Sequence, residues 1–203
     1  MLNKRANARY LKTLSPYDKV LPHAMPKRSD AQVFYQDDID CKYLDEYIAE
    51  KKAQGIEITY LDIFVAAAVR MYAKRPALNR FVMAGRVFAN DKIYASMAVK
   101  KSLRDNSGST TIKIPFTGHE TIFDVKARFD EQIHLNKEAD TQNSTDKTAK
   151  LLTAVPNWLM RFAFALIRRL DRWSLLPGKL VEASPFHGSF FITYLKSLGI
   201  PGI

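Results

Sequence analysis

The chain has 203 residues, of which 47% are apolar and 26% charged. These are the proportions of one folded domain with enough apolar mass for a sizeable core, and they exclude a disordered or fibrous chain. The formal net charge is +10, but the basic residues are spread out, with only small clusters at Lys4-Arg5, Lys27-Arg28, Lys100-Lys101 and Arg168-Arg169. With no basic tract interleaved with aromatics, a solvated basic surface is expected and no nucleic-acid partner.

Cys41 is the single cysteine, which rules out an internal disulfide and fits a reducing compartment. Residues 1–20 are basic and polar and show no apolar stretch of the signal-peptide kind. A cytoplasmic location is therefore expected. The first 30 residues, broken by Pro16, Pro22 and Pro26, read as an irregular arm lying over a domain that occupies residues 31–203.

Val33 to Tyr35 is a short strand candidate. The acids Asp37, Asp38 and Asp40 sit where a helix begins and suit its dipole. That helix is expected to run to about Gln54, with Leu44, Tyr47 and Ile48 on one face and Gly55 as its stop. Thr59-Tyr-Leu-Asp62 is a capping-box pattern opening a second helix. In it Leu61, Phe64, Val65, Ala68, Val69 and Tyr72 recur at helical spacing, until Pro76 forbids continuation.

Phe81 to Met83 and Arg86 to Phe88 flank Ala84-Gly85 and predict a hairpin. Ile93 to Val99 and Thr110 to Phe116 are further strands, separated by the turn-rich Asp105-Asn-Ser-Gly108. Thr121-Ile-Phe-Asp124 repeats the capping-box pattern and starts a helix through about Leu135. Asn136 to Lys150 is polar and reads as a loop.

Pro156 to Trp173 is a basic amphipathic segment. Arg161, Arg168, Arg169 and Arg172 accompany wide apolar coverage from Trp158, Leu159, Phe162, Phe164, Ala165, Leu166 and Leu170. It is too short and too charged to span a bilayer. It reads first as a helix packed on its own domain or a neighbouring subunit with its arginines turned outward, and second as an interfacial membrane helix. Ser174 to Leu180 is expected to be a tight connection, and Phe190 to Leu195 a buried strand between Pro185-Gly188 and Gly199-Pro201-Gly202.

That last strand carries one hydroxyl, Thr193, among aromatic and aliphatic residues. The stretch Gly188-Ser-Phe-Phe-Ile-Thr-Tyr-Leu195 resembles the Gly-Thr-Phe-Thr-Ile-Ser-Asn-Leu-Gly segment of dihydrolipoamide acyltransferase catalytic domains. These are the acyl-transferring components of 2-oxo acid dehydrogenase complexes and share a fold with chloramphenicol acetyltransferase. The order of elements adds to the resemblance. Ile58-Thr-Tyr-Leu-Asp-Ile-Phe-Val-Ala-Ala-Ala-Val69, then Arg75-Pro-Ala-Leu-Asn79, then Ala95-Ser-Met-Ala-Val99 looks like the family's hydrophobic helix, Pro-x-Leu-Asn step and following strand. The similarity spans roughly residues 30–203, with an insertion-like loop and amphipathic helix at 137–185.

The resemblance implies an α/β two-layer sandwich with a mixed sheet, assembled as a homotrimer, with active sites between subunits. It implies coenzyme A or acyl-coenzyme A as substrate, and a small-molecule or carrier-bound acyl acceptor. The Thr193 hydroxyl takes the place of the family's Ser, which binds the oxyanion of the tetrahedral intermediate. Arg28 falls near the place of an arginine that orders the active site; the bland reading is a surface arginine. Thr193 likewise reads, on periodicity alone, as a β-branched strand residue. Tyr194 and Lys196 depart from the family's Asn and Gly.

The family's His-x-x-x-Asp-Gly motif, which carries the general base, is absent: His23, His119, His134 and His187 all lack its context. A chain lacking the fold's carboxy-terminal strands, with the base supplied by a further segment, is the expectation. His187, in a Pro-Phe-His-Gly turn, reads as a hydrogen-bonded structural residue, and no ligand spacing predicts a metal. The competing reading is a non-catalytic acyltransferase-like protein that uses its amphipathic helix at a membrane or partner surface.

Overall fold

The computed structural model describes residues 4–100, 109–141, 156–184 and 187–194. Within them the chain is a mixed α/β structure with two small sheets. The first sheet is antiparallel, in the order β1 (Lys4–Arg5), β2 (Ala8–Tyr10), β4 (Arg86–Asn90), β3 (Arg80–Met83). The second is mixed: β5 (Ile93–Lys100) lies between β6 (Ser109–Phe116), antiparallel to it, and β7 (Phe190–Ile192), parallel to it.

Six α-helices accompany the sheets among the described residues: α1 (Pro16–Ala24), α2 (Lys42–Ala53), α3 (Tyr60–Lys74), α4 (Ile122–Thr141), α5 (Asn157–Arg172) and α6 (Gly178–Ala183). None is long and apolar enough to cross a membrane.

The main core lies between the mixed sheet and the α3–α4 pair. Ile93, Ala95 and Met97 of β5 and Ile112, Ile114 and Phe116 of β6 project from one face by strand alternation. They meet Val65 and Val69 of α3 and Val125 and Phe129 of α4, with Phe190 and Ile192 packed at the β7 edge. Fully burying side chains of this size contributes about 1.5–3 kcal/mol each. A smaller cluster, Ala8, Met83 and Phe88 flanked by Tyr10 and Phe81, holds the antiparallel sheet together.

The capping signals form as the sequence predicts. Thr59 and Asp62 make a reciprocal capping box at α3: the Asp62 carboxylate accepts from the Thr59 N–H at 2.8 Å, and the Thr59 Oγ1 accepts from the Asp62 N–H at 3.4 Å. Thr121 and Asp124 repeat this arrangement at the start of α4. Gly55 ends α2 at φ +79°. The predicted hairpin is closed by Ala84 (φ 51°) and Gly85 (φ 72°), the pair of positive φ values that matches strand twist in a two-residue turn. At Gly118 (φ +94°), a built Cβ would lie 2.6 Å from that of Ala73, so this glycine lets the β6–α4 turn approach the end of α3.

Other expectations are corrected. The first 30 residues hold β1, β2 and α1, and β2 extends the sheet by pairing with β4 through Ala8–Asn90, Arg9–Ala89 and Tyr10–Phe88. Ser15 caps α1 and Pro16 opens it, while Pro22 sits within its last turn. Val33 to Tyr35 is not a strand: these residues are unpaired and 85–88% exposed. Strand propensity is not sufficient without a neighbouring edge.

Helix α4 continues past Leu135 to Thr141, so the polar stretch from Asn136 begins as helix, and residues 142–150 lie outside the described residues. The expected connection at Ser174 to Leu180 contains the start of α6. Strand β7 stops at Ile192 rather than Leu195, which is itself outside the described residues. The packed-helix reading of Pro156 to Trp173 fails for its own domain, because α5 forms but contains no buried residue.

Candidate functional site

Thr193 follows β7 directly and is exposed. The strand that delivers it is fixed by a polar node beneath its first residue. Ser189 donates its hydroxyl to Asn79 Oδ1 at 2.6 Å and accepts from the Tyr94 N–H at 2.9 Å. The Ser189 N–H donates to the Tyr94 carbonyl, and its own carbonyl accepts from the Tyr72 hydroxyl at 3.0 Å. Asn79, nearly buried, also donates to the Lys92 carbonyl and accepts from Asn90, both at 3.0 Å. The Asn of the Arg75-Pro-Ala-Leu-Asn79 step is thus a hub joining both sheets to the start of β7.

Beside the far end of β7 lies the first turn of α3. The Tyr194 phenol is pushed above its ordinary value by burial and by the charge of Asp62. Tyr60, in the same turn, hydrogen-bonds Asp45 of α2, and that bond with burial and the carboxylate charge pushes its phenol up to about 12. The Thr193 hydroxyl, exposed at a strand end, can donate to a developing oxyanion.

Arg28 is not brought to this place by any contact on its side chain. It opens a single 3₁₀ turn, Arg28–Ala31, whose bonds are internal, and it is exposed, with no carboxylate partner among the described residues.

His187 makes a hydrogen-bonded pair, as its turn setting suggests. Its Nε2 lies 3.0 Å from Asp171 Oδ2 at the end of α5, while Asp171 Oδ1 accepts from Arg5 Nη2 at 2.7 Å. The Arg5 side chain is 3% exposed, stacks over Phe81 at 5.3 Å and donates to Asn7 and Met83. A carboxylate-oriented histidine resembles half of a base-catalysis arrangement, but a base needs its second nitrogen open to the substrate. His187 Nδ1 is buried and has no hydrogen-bond partner among the described residues, so the trio acts as a tether between β1, α5 and the loop before β7.

Sequence reasoning missed Lys113. It projects from the face of β6 opposite the core, donates to the Val181 and Ser184 carbonyls at 3.0 and 3.2 Å, and lies 4.5 Å from the Tyr94 ring centroid. Burial lowers its ammonium to about 8; Glu182 works against that and Arg5 adds to it. The only signal in the sequence is a polar residue between Ile112 and Ile114. Ending α6 with a cation is its evident role. Among the described residues, no group of three or more His, Cys, Asp or Glu side chains could hold a metal ion.

No family model, curated protein or solved structure matches this chain.

Proposed function

We propose that the chain is the oxyanion-binding part of a coenzyme A-dependent acyltransferase, with Thr193 as the hydroxyl donor. The observation that carries this reading is the position of Thr193: exposed, directly past a strand parallel to the centre of a mixed sheet, and held in place by the Asn79–Ser189 node. The resemblance of Gly188 to Leu195 and of Arg75 to Asn79 to the acyltransferase pattern supports it from the sequence side. A chloramphenicol acetyltransferase-like form of the α/β fold belongs to the same proposal. So does a homotrimer, supported by the exposed Val33, Phe34, Tyr35 and Tyr43, which a subunit contact would cover.

In the reaction, an acceptor thiol adds to the thioester carbonyl of acyl-coenzyme A and the tetrahedral intermediate collapses with loss of the coenzyme A thiolate. Thr193 Oγ1 donates to the carbonyl oxygen as negative charge grows on it. The base that takes the acceptor's proton is a histidine outside residues 1–203. Residues 1–203 alone are accordingly expected to give no turnover of acyl-coenzyme A with an added thiol.

The test uses the protein translated from its complete gene. Thr193→Val keeps the branched shape and removes the donor, so the turnover rate should fall on the order of 100-fold or more with acyl-coenzyme A binding nearly unchanged. Thr193→Ser should retain activity. A valine variant as fast as the parent would end the assignment of Thr193.

A further inference from the structure

Helix α5 combines features that nothing inside the described structure uses. Trp158, Phe162, Leu159, Leu166 and Ile167 are 40–70% exposed, and the helix contains no buried residue. At about 100° per residue, Leu159, Phe162, Leu166 and Leu170 fall on one arc. Arg161, Arg168 and Arg172 fall on another, and Arg169 stands beside Phe162 at the border between them.

The one acid of the helix, Asp171, is already engaged by Arg5 and His187. That tether meets the body of the protein only at the carboxy-terminal turn. Phe162 and Leu166 lie on the side of the helix away from Asp171, and Phe164 and Ile167, nearer to it, are exposed as well, so apolar surface is open along the length of α5. Both tryptophans of the chain flank this element, Trp158 in its first turn and Trp173 at its C-cap.

We propose that α5 lies in the plane of an anionic phospholipid surface, its apolar arc among the upper acyl chains and its arginines against the phosphate layer. The charge pattern selects this occupant. A second copy would bring four arginines against four arginines on chains of net charge +10, whereas an anionic bilayer supplies apolar volume and negative charge together. Sixteen residues make about 24 Å of helix, too short to cross the hydrocarbon layer and suited to lying along its boundary. Tryptophan at each end matches the preference of its amphipathic ring for the headgroup level. The inference does not rest on acyl transfer.

The test is co-sedimentation of the whole chain with phosphatidylcholine vesicles, with or without phosphatidylglycerol, followed by intrinsic tryptophan emission. Because Trp158 and Trp173 are the only tryptophans, emission reports on this element alone. The phosphatidylglycerol vesicles should bind the chain and shift its emission to the blue, and raised salt should weaken binding. Removing two arginines in Arg161→Gln/Arg168→Gln should weaken it at least about tenfold, each cation near an anionic surface counting about fivefold. Phe162→Ser/Leu166→Ser should abolish the shift while leaving thermal unfolding unchanged, since both side chains are exposed.

Absence of binding to phosphatidylglycerol vesicles overturns the proposal, as does equal binding by parent and both double variants. Emission already blue in lipid-free monomer would show the face covered by the chain itself. A blue shift that grows with protein concentration without lipid would identify a second copy as the occupant. Either result also overturns it.

Discussion

Helices α3 and α5 are almost the same length, 15 and 16 residues, and both carry apolar side chains at helical spacing. The one is built into the core and the other contributes nothing to it. Helix α3 offers Val65 and Val69, compact β-branched side chains that fit closely against β5, and it is held at its start by a capping box and near its end by the Tyr72–Ser189 bond. Helix α5 offers Trp158, Phe162 and Leu166, bounded by arginines, and its described polar attachment runs through Asp171. Amphipathicity shows that a helix has an apolar face; it does not say whether that face meets the protein's own core or something outside it.

The contrast is sharpest when one aromatic is removed from each region. Phe116→Ala takes a fully buried ring from β6, where it stacks on Phe129, and should cost about 3–5 kcal/mol in urea unfolding. Phe162→Ala, in α5, should stay within about 0.5 kcal/mol of the parent in the same measurement. Similar losses from the two would mean that α5 is packed after all.

Asn79→Ala probes the node that joins the sheets rather than the apolar packing. It leaves the Lys92 carbonyl and the Asn90 amide short of partners, for a loss of about 1–3 kcal/mol. Hydrogen exchange should show β7 opening before β5 and β6; uniform loosening of all three would remove Asn79's special place. A smaller effect, about 1 kcal/mol, is expected for Asp62→Ala, which removes half of the α3 capping box.

The smallest expected effect is a change of slope with pH. Lys113 binds its proton less tightly when folded, at about 8 against 10.5. Between those values the unfolded chain holds more protons, so this residue makes stability rise with pH from about 8 toward 10.5. Tyr60, Tyr72, Tyr94 and Tyr194, raised from 10.0, work in the opposite sense at and above pH 10, so the comparison belongs between pH 8 and 10. Lys113→Met should flatten that rise in thermal unfolding, and an unchanged slope would place Lys113 in ordinary solvent.

Local signals carried much of the reading. Thr59 with Asp62, Thr121 with Asp124, Gly55 and the Ala84–Gly85 turn each act over a few residues, and each formed as expected. The regular strand pattern of Ile93 to Val99 and Thr110 to Phe116 was equally legible. Ser15-Pro16 before Asp18 was a helix start that could have been read in the arm, but Pro16, Pro22 and Pro26 together suggested irregularity. The pairing of β2 with β4 had no local signal, because its partner lies some eighty residues away in sequence, between Ala8 and Asn90. Val33 to Tyr35 failed in the opposite way, with strand-forming side chains and no edge to join.

For the candidate site, the sequence singled out Thr193 and Arg28, carried Asn79 only as the end of the Pro-x-Leu-Asn step, and marked His187 as a hydrogen-bonded turn residue. It showed neither that Asn79 and Ser189 form one node nor that Arg5, Asp171 and His187 form another. Those contacts join residues 110, 166 and 16 positions apart, a range at which spacing carries no information. By itself the sequence determined where helices start, where chains turn and which faces are apolar, since these follow from backbone sterics and capping over a few residues. Which apolar face became core, which remained at the surface, and which polar side chains met were decided by the tertiary structure. Each of those outcomes depends on the shape and position of elements distant along the chain.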